Sequence, residues 1–149
     1  MNNDSKPTIV LTNQNTCPTL REALALNWQR ILDGSLNDKT HAERVFQKFT
    51  QLVESNHREQ RSPKFYADKL NMTKSNLRKI CQQEIGIPPS HCIHTRLMLE
   101  ACAFLKDPKA IKEMAYELGF EDPKHFTKFF KKHSGLPPDS YRKFIFETQ

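Results

Sequence analysis

Two short stretches of this chain concentrate side chains able to hold a polyanion. TKSNLRKICQ (73–82) carries Lys74, Ser75, Arg78, Lys79 and Gln82, and DPKHFTKFFKK (122–132) carries Lys124, His125, Thr127, Lys128 and Lys131. Apolar residues recur in both at helical spacing: Leu77, Ile80, Cys81 and Ile85 in the first, Phe126, Phe129 and Phe130 in the second. Turning those residues inward leaves two outward faces that are basic, rich in hydrogen-bonding groups and free of carboxylates in their middle. Arg78 and Lys79 have the donors to read guanine O6 and N7, while Ser75, Thr127 and His125 suit base edges or phosphates. For either helix alone, a solvated basic face is the plainer explanation. Two copies in register favour nucleic acid.

The charge of the whole chain agrees. Residues 1–57 hold 6 Lys+Arg and 6 Asp+Glu, whereas residues 58–149 hold 17 and 11, so the entire formal excess of +6 lies in the C-terminal part. Such asymmetry points to a polyanion partner for that part, with mere solubility as the rival. At 149 residues, 37% hydrophobic and 27% charged, the chain fits one domain, or one domain with an extension. No apolar run approaches the ~20 residues needed to cross a bilayer, so no membrane partner is expected. The start, MNNDSKPTIVLTNQ, lacks the plan of a secretion signal. A cytoplasmic location is expected. Cys17, Cys81, Cys92 and Cys102 form no C-x-x-C pair, and the last three read as small buried hydrophobes in a reducing compartment.

The elements that must position the basic faces are almost all helical. TIVLT (8–12) is the one β-like run, without a partner strand in view. Leu20, Leu24, Trp28 and Ile31 make an amphipathic stripe over about 19–32. Thr40-x-x-Glu43 is a capping box ahead of Val45, Phe46, Phe49, Leu52 and Val53, predicting a helix over 41–57. Ser62-Pro63 starts a short helix, Thr73 caps the next, and Gly86 ends it. Pro88-Pro89 opens a longer helix over 89–106 with Ile93, Leu97, Ala101, Phe104 and Leu105 inward, stopped at Asp107-Pro108. Ile111 to Leu118, Pro123 to His133 and Pro138 to Phe146 complete the set. The fold class is all-α.

This C-terminal part repeats itself. Ala67-x-x-Leu70-Asn71-Met72 aligns with Ala115-x-x-Leu118-Gly119-Phe120. After one inserted residue, Leu77 aligns with Phe126, Ile80-Cys81 with Phe129-Phe130, Gly86 with Gly135, and Pro88-Pro89 with Pro137-Pro138. Each copy is a short helix, a tight turn and a second helix, which is the form of a helix-turn-helix. The short helix braces the second at a steep angle, its alanine permits a close crossing, and Met72 or Phe120 fills the corner. A linking helix of ~17 residues spans about 25 Å at 1.5 Å per residue. That roughly suits two major grooves ~34 Å apart on one face of DNA.

On these residues the segment from about 42 to 146 resembles the DNA-binding domain of the AraC/XylS family of bacterial transcription regulators. The likeness is carried by Ala67-x-x-Leu70 with Leu77, by Gly86-x-Pro88-Pro89 leading to Ile93-x-x-Arg96-Leu97 and Ala101, and by Ile111-x-x-Met114-Ala115-x-x-Leu118-Gly119-Phe120. Phe126-x-x-x-Phe130-Lys131-Lys132 and Gly135-x-Pro137-Pro138-x-x-Tyr141-Arg142 complete it. The resemblance implies two helix-turn-helix subdomains (about 63–86 and 110–135) joined by the linking helix, with an additional N-terminal helix in residues 1–40. It implies DNA contacts from Lys74, Ser75, Asn76, Arg78 and Lys79 and from Lys124, His125, Thr127 and Lys128. Gly86, Gly119, Gly135 and Arg96 are structural in this scheme, Arg96 as a tie between the units. Three departures stand out: Cys81 where phenylalanine is usual, Cys92 where tyrosine is common, and Pro123 where some members have a base-contacting polar residue. Lacking an N–H, Pro123 inclines the second reader towards phosphates.

The function implied is sequence-specific binding of double-stranded DNA in successive major grooves to regulate transcription at the bacterial nucleoid. An activator is favoured over a repressor, with RNA polymerase as a further partner. The stripe through 19–32 fits either a homodimerisation helix or a helix folded back on its own domain. A helical protein–protein adaptor and a nonspecific nucleic-acid binder are the rivals. An enzyme is not expected: the chain has no G-x-S-x-G, no Walker loop and only 4 glycines. No cofactor is expected either. His91-Cys92-x-His94 has a metal-like look but no third convergent ligand, and its cysteine falls on the apolar face.

Overall fold

The computed structural model describes residues 40–147 together with Ala25, Trp28 and Gln29. Of the N-terminal expectations, the TIVLT run and Leu20, Leu24 and Ile31 lie outside the described residues, as does Cys17. Among the described residues there are seven α-helices and no strand: α1 (His41–Asn56), α2 (Pro63–Lys69), α3 (Lys74–Ile85), α4 (Pro89–Phe104), α5 (Ile111–Glu117), α6 (Pro123–Ser134) and α7 (Pro138–Glu147). They form two compact units whose boundary falls inside α4, between Arg96 and Leu97.

Local chemistry sets where the helices of the first unit begin and end. At the start of α1, the Thr40 hydroxyl accepts from the Glu43 N–H at 3.1 Å and the Glu43 carboxylate accepts from the Thr40 N–H at 2.9 Å. This reciprocal box satisfies two amides that would otherwise face water alone. Ser62 and Thr73 cap α2 and α3 through the N–H groups of Lys64 and Asn76. Gly86 ends α3 in the left-handed region, at φ 77°. The core joins Val45, Phe46, Phe49 and Val53 of α1 to Tyr66 and Ala67 of α2 and Leu77, Cys81 and Ile85 of α3. Phe49 meets Tyr66 edge to face, with ring centroids 5.6 Å apart.

The second unit is built around the far half of α4. Leu97, Met98, Ala101, Cys102 and Leu105 are buried with Met114, Ala115, Leu118 and Phe120, with Phe126 and Phe130 of α6, and with Tyr141 and Ile145 of α7. Arg142 stitches the turn after α4 to α7: its guanidinium donates to the carbonyls of Leu105 (3.2 Å), Asp107 (3.0 Å) and Lys109 (2.7 Å). Those carbonyls belong to a helix end and the irregular stretch beyond it, where partners are scarce.

Some boundaries and burials differ from the sequence reading. The linking helix stops at Phe104, two residues early, because Leu105, Lys106 and Asp107 turn back through hydrogen bonds to Ala101, Ala103 and Phe104. Ile80, Phe104 and Phe129 are half-buried, not fully inward. Phe129 lies at the edge of its unit, against Phe120 (5.4 Å) and His133 (4.6 Å).

Candidate nucleic-acid interface

Each candidate reader is held by the same corner. In the first unit, Leu70 N–H donates to Tyr66 O, Asn71 N–H to Asp68 O and Met72 N–H to Ala67 O; in the second, Leu118 donates to Met114, Gly119 to Tyr116 and Phe120 to Ala115. The bond that reaches back five residues, 2.9 Å in both copies, closes the short helix in the manner of a Schellman end. That closure needs a left-handed residue at the turn. Gly119 supplies it at φ 90°, and Asn71 is the one described non-glycine with positive φ, at 56°. Asparagine is among the few side chains that tolerate this region. Beyond the corner, Met72 is half-buried and Phe120 is 8% exposed, its ring 5.4 Å from that of Phe126.

The reader helices then present the expected faces. On α3, Leu77, Cys81 and Ile85 are buried, and Lys74, Ser75, Asn76, Arg78 and Lys79 are all exposed. On α6, Phe126, Phe130 and Ser134 are buried, Lys124, His125 and Lys128 are exposed, and Thr127 is half-buried. Pro123 stands at the first helical position behind Asp122, whose carboxylate accepts from the Lys124 N–H at 2.9 Å. The first two amide positions of α6 therefore offer nothing to a ligand: one has no hydrogen and the other is already bonded. Lys124, His125 and Lys128 must act through their side chains. At the far end, Gly135 closes α6 at φ 89°. There the buried Ser134 hydroxyl donates to Phe130 O at 2.8 Å and accepts from Leu136 N–H at 3.2 Å.

The contacts of Arg96 lie within the first unit, not between the units. Its Nε is 3.3 Å from both carboxylate oxygens of Glu54 on α1, and its guanidinium sits 6.0 Å from the centroid of the Trp28 ring. The Trp28 indole N–H donates to the same Glu54 carboxylate. Trp28 is 4% exposed, so this part of the N-terminal segment is covered by its own chain. Glu54 was invisible to sequence reasoning. It sits on the margin of an amphipathic helix, where a glutamate is unremarkable, and only the fold brings it to residues 26 and 42 positions away.

Among the described residues, His91, Cys92 and His94 belong to no group of three or more His, Cys, Asp or Glu placed to hold a metal ion. Cys92 is fully buried and its thiol lies against Cys81. Burial first, and the neighbouring thiol second, pushes the Cys92 thiol well above its ordinary range, and burial pulls His91 below its own. Cys81, Cys92 and Cys102 are all buried thiols.

Comparison with known proteins bears on the same segment. A family model described as "Helix-turn-helix domain" matches residues 66–143. An uncharacterised HTH-type transcriptional regulator of Haemophilus influenzae is 33% identical over 81 residues, which is 53% of this chain and 27% of that protein. The HTH-type transcriptional regulator MtrA of Neisseria gonorrhoeae is 32% identical over 74 residues, 49% of this chain and 25% of the relative. The match thus spans about a quarter of the length of these relatives. Among solved structures, the C-terminal domain of the response regulator AraT from Geobacillus stearothermophilus superposes with a TM-score of 0.63 at 23% identity, over 70% of this chain and 88% of that one. That likeness supports the fold. From the matched model, the repeated corners and the relatives together, the chain belongs to the AraC/XylS-type helix-turn-helix family of transcription regulators.

Proposed function

We propose that this chain binds specific sequences of double-stranded DNA through α3 and α6, each laid in a major groove, and thereby regulates transcription. The observation that carries this is the duplicated corner. The same hydrogen bonds recur in both copies, and each corner is followed by a helix whose outward face holds exposed cations. A helix laid in a groove needs a brace on one side and freedom on the other, and both copies supply that. We assign Lys79 and Asn76 of the first reader and His125 and Lys128 of the second to the groove, with Lys124 and Thr127 at its edge. A DNA-binding domain over residues 41–149, two successive grooves as the target, RNA polymerase as a further partner, activation over repression and a nucleoid location belong to the same proposal. For the N-terminal segment, the burial of Trp28 against Glu54 and Arg96 favours folding onto its own unit over a homodimer seam through 19–32.

Selection from a pool of random duplexes tests the reading. A single enriched motif with two half-sites about one helical turn apart is the expected result. Equal recovery of all sequences would reduce the protein to a nonspecific binder. Replacing Lys124 and Lys128 with alanine should weaken binding roughly tenfold or more at moderate salt and flatten its salt dependence. A protein–protein adaptor would keep its partner after that change.

A further inference from the structure

A cleft of about 350 Å³ opens beside the first reader. Its polar side chains are Lys74, Ser75 and Arg78 from the first turns of α3 and Ser90 from the start of α4, and its walls are Pro63, Pro88 and Pro89. We infer that this cleft holds one phosphodiester of the DNA backbone, with Lys74, Arg78 and Ser90 as its ligands, an inference that rests on the chain being a duplex-DNA binder.

The lining has the chemistry for a singly charged, oxygen-rich group. It brings together two cations and two hydroxyls, and none of its residues is a carboxylate. Neither Lys74 nor Arg78 has an ion-pair partner among the described residues. The prolines make rigid walls without amide donors of their own. Because Pro88 and Pro89 lack N–H groups, the first amide of α4 is that of Ser90, beside the Ser90 hydroxyl. Ser90 is half-buried, so a ligand reaching it has entered the cleft and not merely passed the surface.

Helical geometry separates this edge from the reading face. At about 100° per residue from the buried Leu77, Cys81 and Ile85, Lys79 and Asn76 lie nearest the middle of the outward face of α3, with Ser75 at its rim. Lys74 and Arg78 lie beyond that rim, above Ile85 and towards the start of α4. A guanidinium committed to that flank is turned from the base edges. Arg78, whose donors suit guanine, therefore serves the backbone, and base reading on α3 falls to Asn76 and Lys79 with Ser75 at the rim. Contacts of these two kinds behave differently: a phosphate contact supports every sequence alike, while a base contact supports one.

The test uses the full chain and a duplex recovered by selection. Arg78→Ala and Ser90→Asp are compared with the unaltered protein on that duplex, on its single-base variants, and on copies carrying one neutral methylphosphonate at each successive position. Aspartate is well placed in the first turn of a helix, and thermal melts confirm that both variants fold. Both variants are expected to weaken binding by roughly tenfold on all sequences, as loss of a charge-assisted contact does. The order of base preferences should stay unchanged, and the salt slope of Arg78→Ala should fall by about 1. One methylphosphonate position should weaken the unaltered protein and have no further effect on either variant. A changed preference at one base pair in Arg78→Ala would show that Arg78 reads a base and overturn the inference. Full sensitivity of both variants at every methylphosphonate position would overturn it as well. Failure of the unaltered protein to select any motif is a separate result, which overturns the sequence-specific reading above. Failure to bind DNA at all overturns both.

Discussion

In the second unit Phe130 and Tyr141 meet edge to face, ring centroids 5.3 Å apart; at the matching repeat positions of the first unit stand Cys81 and Cys92, both fully buried. The two units thus build one backbone corner over differently filled interiors. In the second, the reader helix carries its own bulk, with Phe126 tilted against Phe120 and Phe130 edge-on to Tyr141. In the first, the rings come from other helices. Phe46 and Phe49 of α1 and Tyr66 of α2 supply the buried rings, while α3 and α4 contribute the small thiols of Cys81 and Cys92 beside aliphatic Leu77, Ile85 and Ile93. A corner of this kind needs a filled core, and the ring that fills it can hang on any neighbouring helix.

The most damaging way to break this comparison is to empty the second interior. Phe130→Ala should cost about 3–5 kcal/mol, the usual penalty for deleting a buried ring, read as a lowered midpoint in a urea melt. Making the first unit imitate the second should also fail. Cys81→Phe adds a ring where α1 already supplies one, and overpacking of this kind costs about 1–3 kcal/mol. A Cys81→Phe protein as stable as the original would show that the first interior holds unused space. Helix starts differ as well. Ser62 caps α2, whereas Ala110 precedes α5 with no side-chain bond. Ala110→Ser should gain about 0.5–1 kcal/mol, measured as a raised melting temperature.

A further difference between the units shows in alkaline solution. Burial pushes Tyr66 up to about 12, and its hydroxyl donates to Gln60 O at 2.6 Å. The unfolded tyrosine ionises near pH 10, so its contribution is intact below that pH and is lost as pH rises towards the folded value. Tyr66→Phe should remove that part of the alkaline decline, at a cost of about 1 kcal/mol at neutral pH. The matching residue of the second unit, Met114, has nothing to titrate.

The repeat made the corners legible from sequence. Ala67, Leu70 and Asn71 against Ala115, Leu118 and Gly119 fix where each short helix ends, because the residue after it must accept a left-handed backbone. Capping side chains marked the starts: Thr40, Ser62, Thr73 and Asp122 each stand one residue before a helix. Periodicity was a blunter guide to depth. It assigned Ile80, Phe104 and Phe129 inward, but each lies on the shoulder of its stripe, where burial depends on which neighbour reaches over it. Contacts between distant residues were out of reach. Nothing local in Glu54 announces Trp28 and Arg96, and nothing in Ser90 places it beside Arg78. Arg142, clear as a motif residue, gave no hint that it collects three carbonyls from a turn over thirty residues upstream.

Trp28 is the single tryptophan of the chain, and its indole lies against a carboxylate and a guanidinium in a nearly sealed site. The protein therefore carries its own optical reporter for that contact. Emission from a covered indole lies to the blue of one in water, so the spectrum reads directly whether Trp28 is seated against Glu54 and Arg96. With no label attached, a titration with DNA can be followed at that one wavelength band, as the attachment holds or lets go.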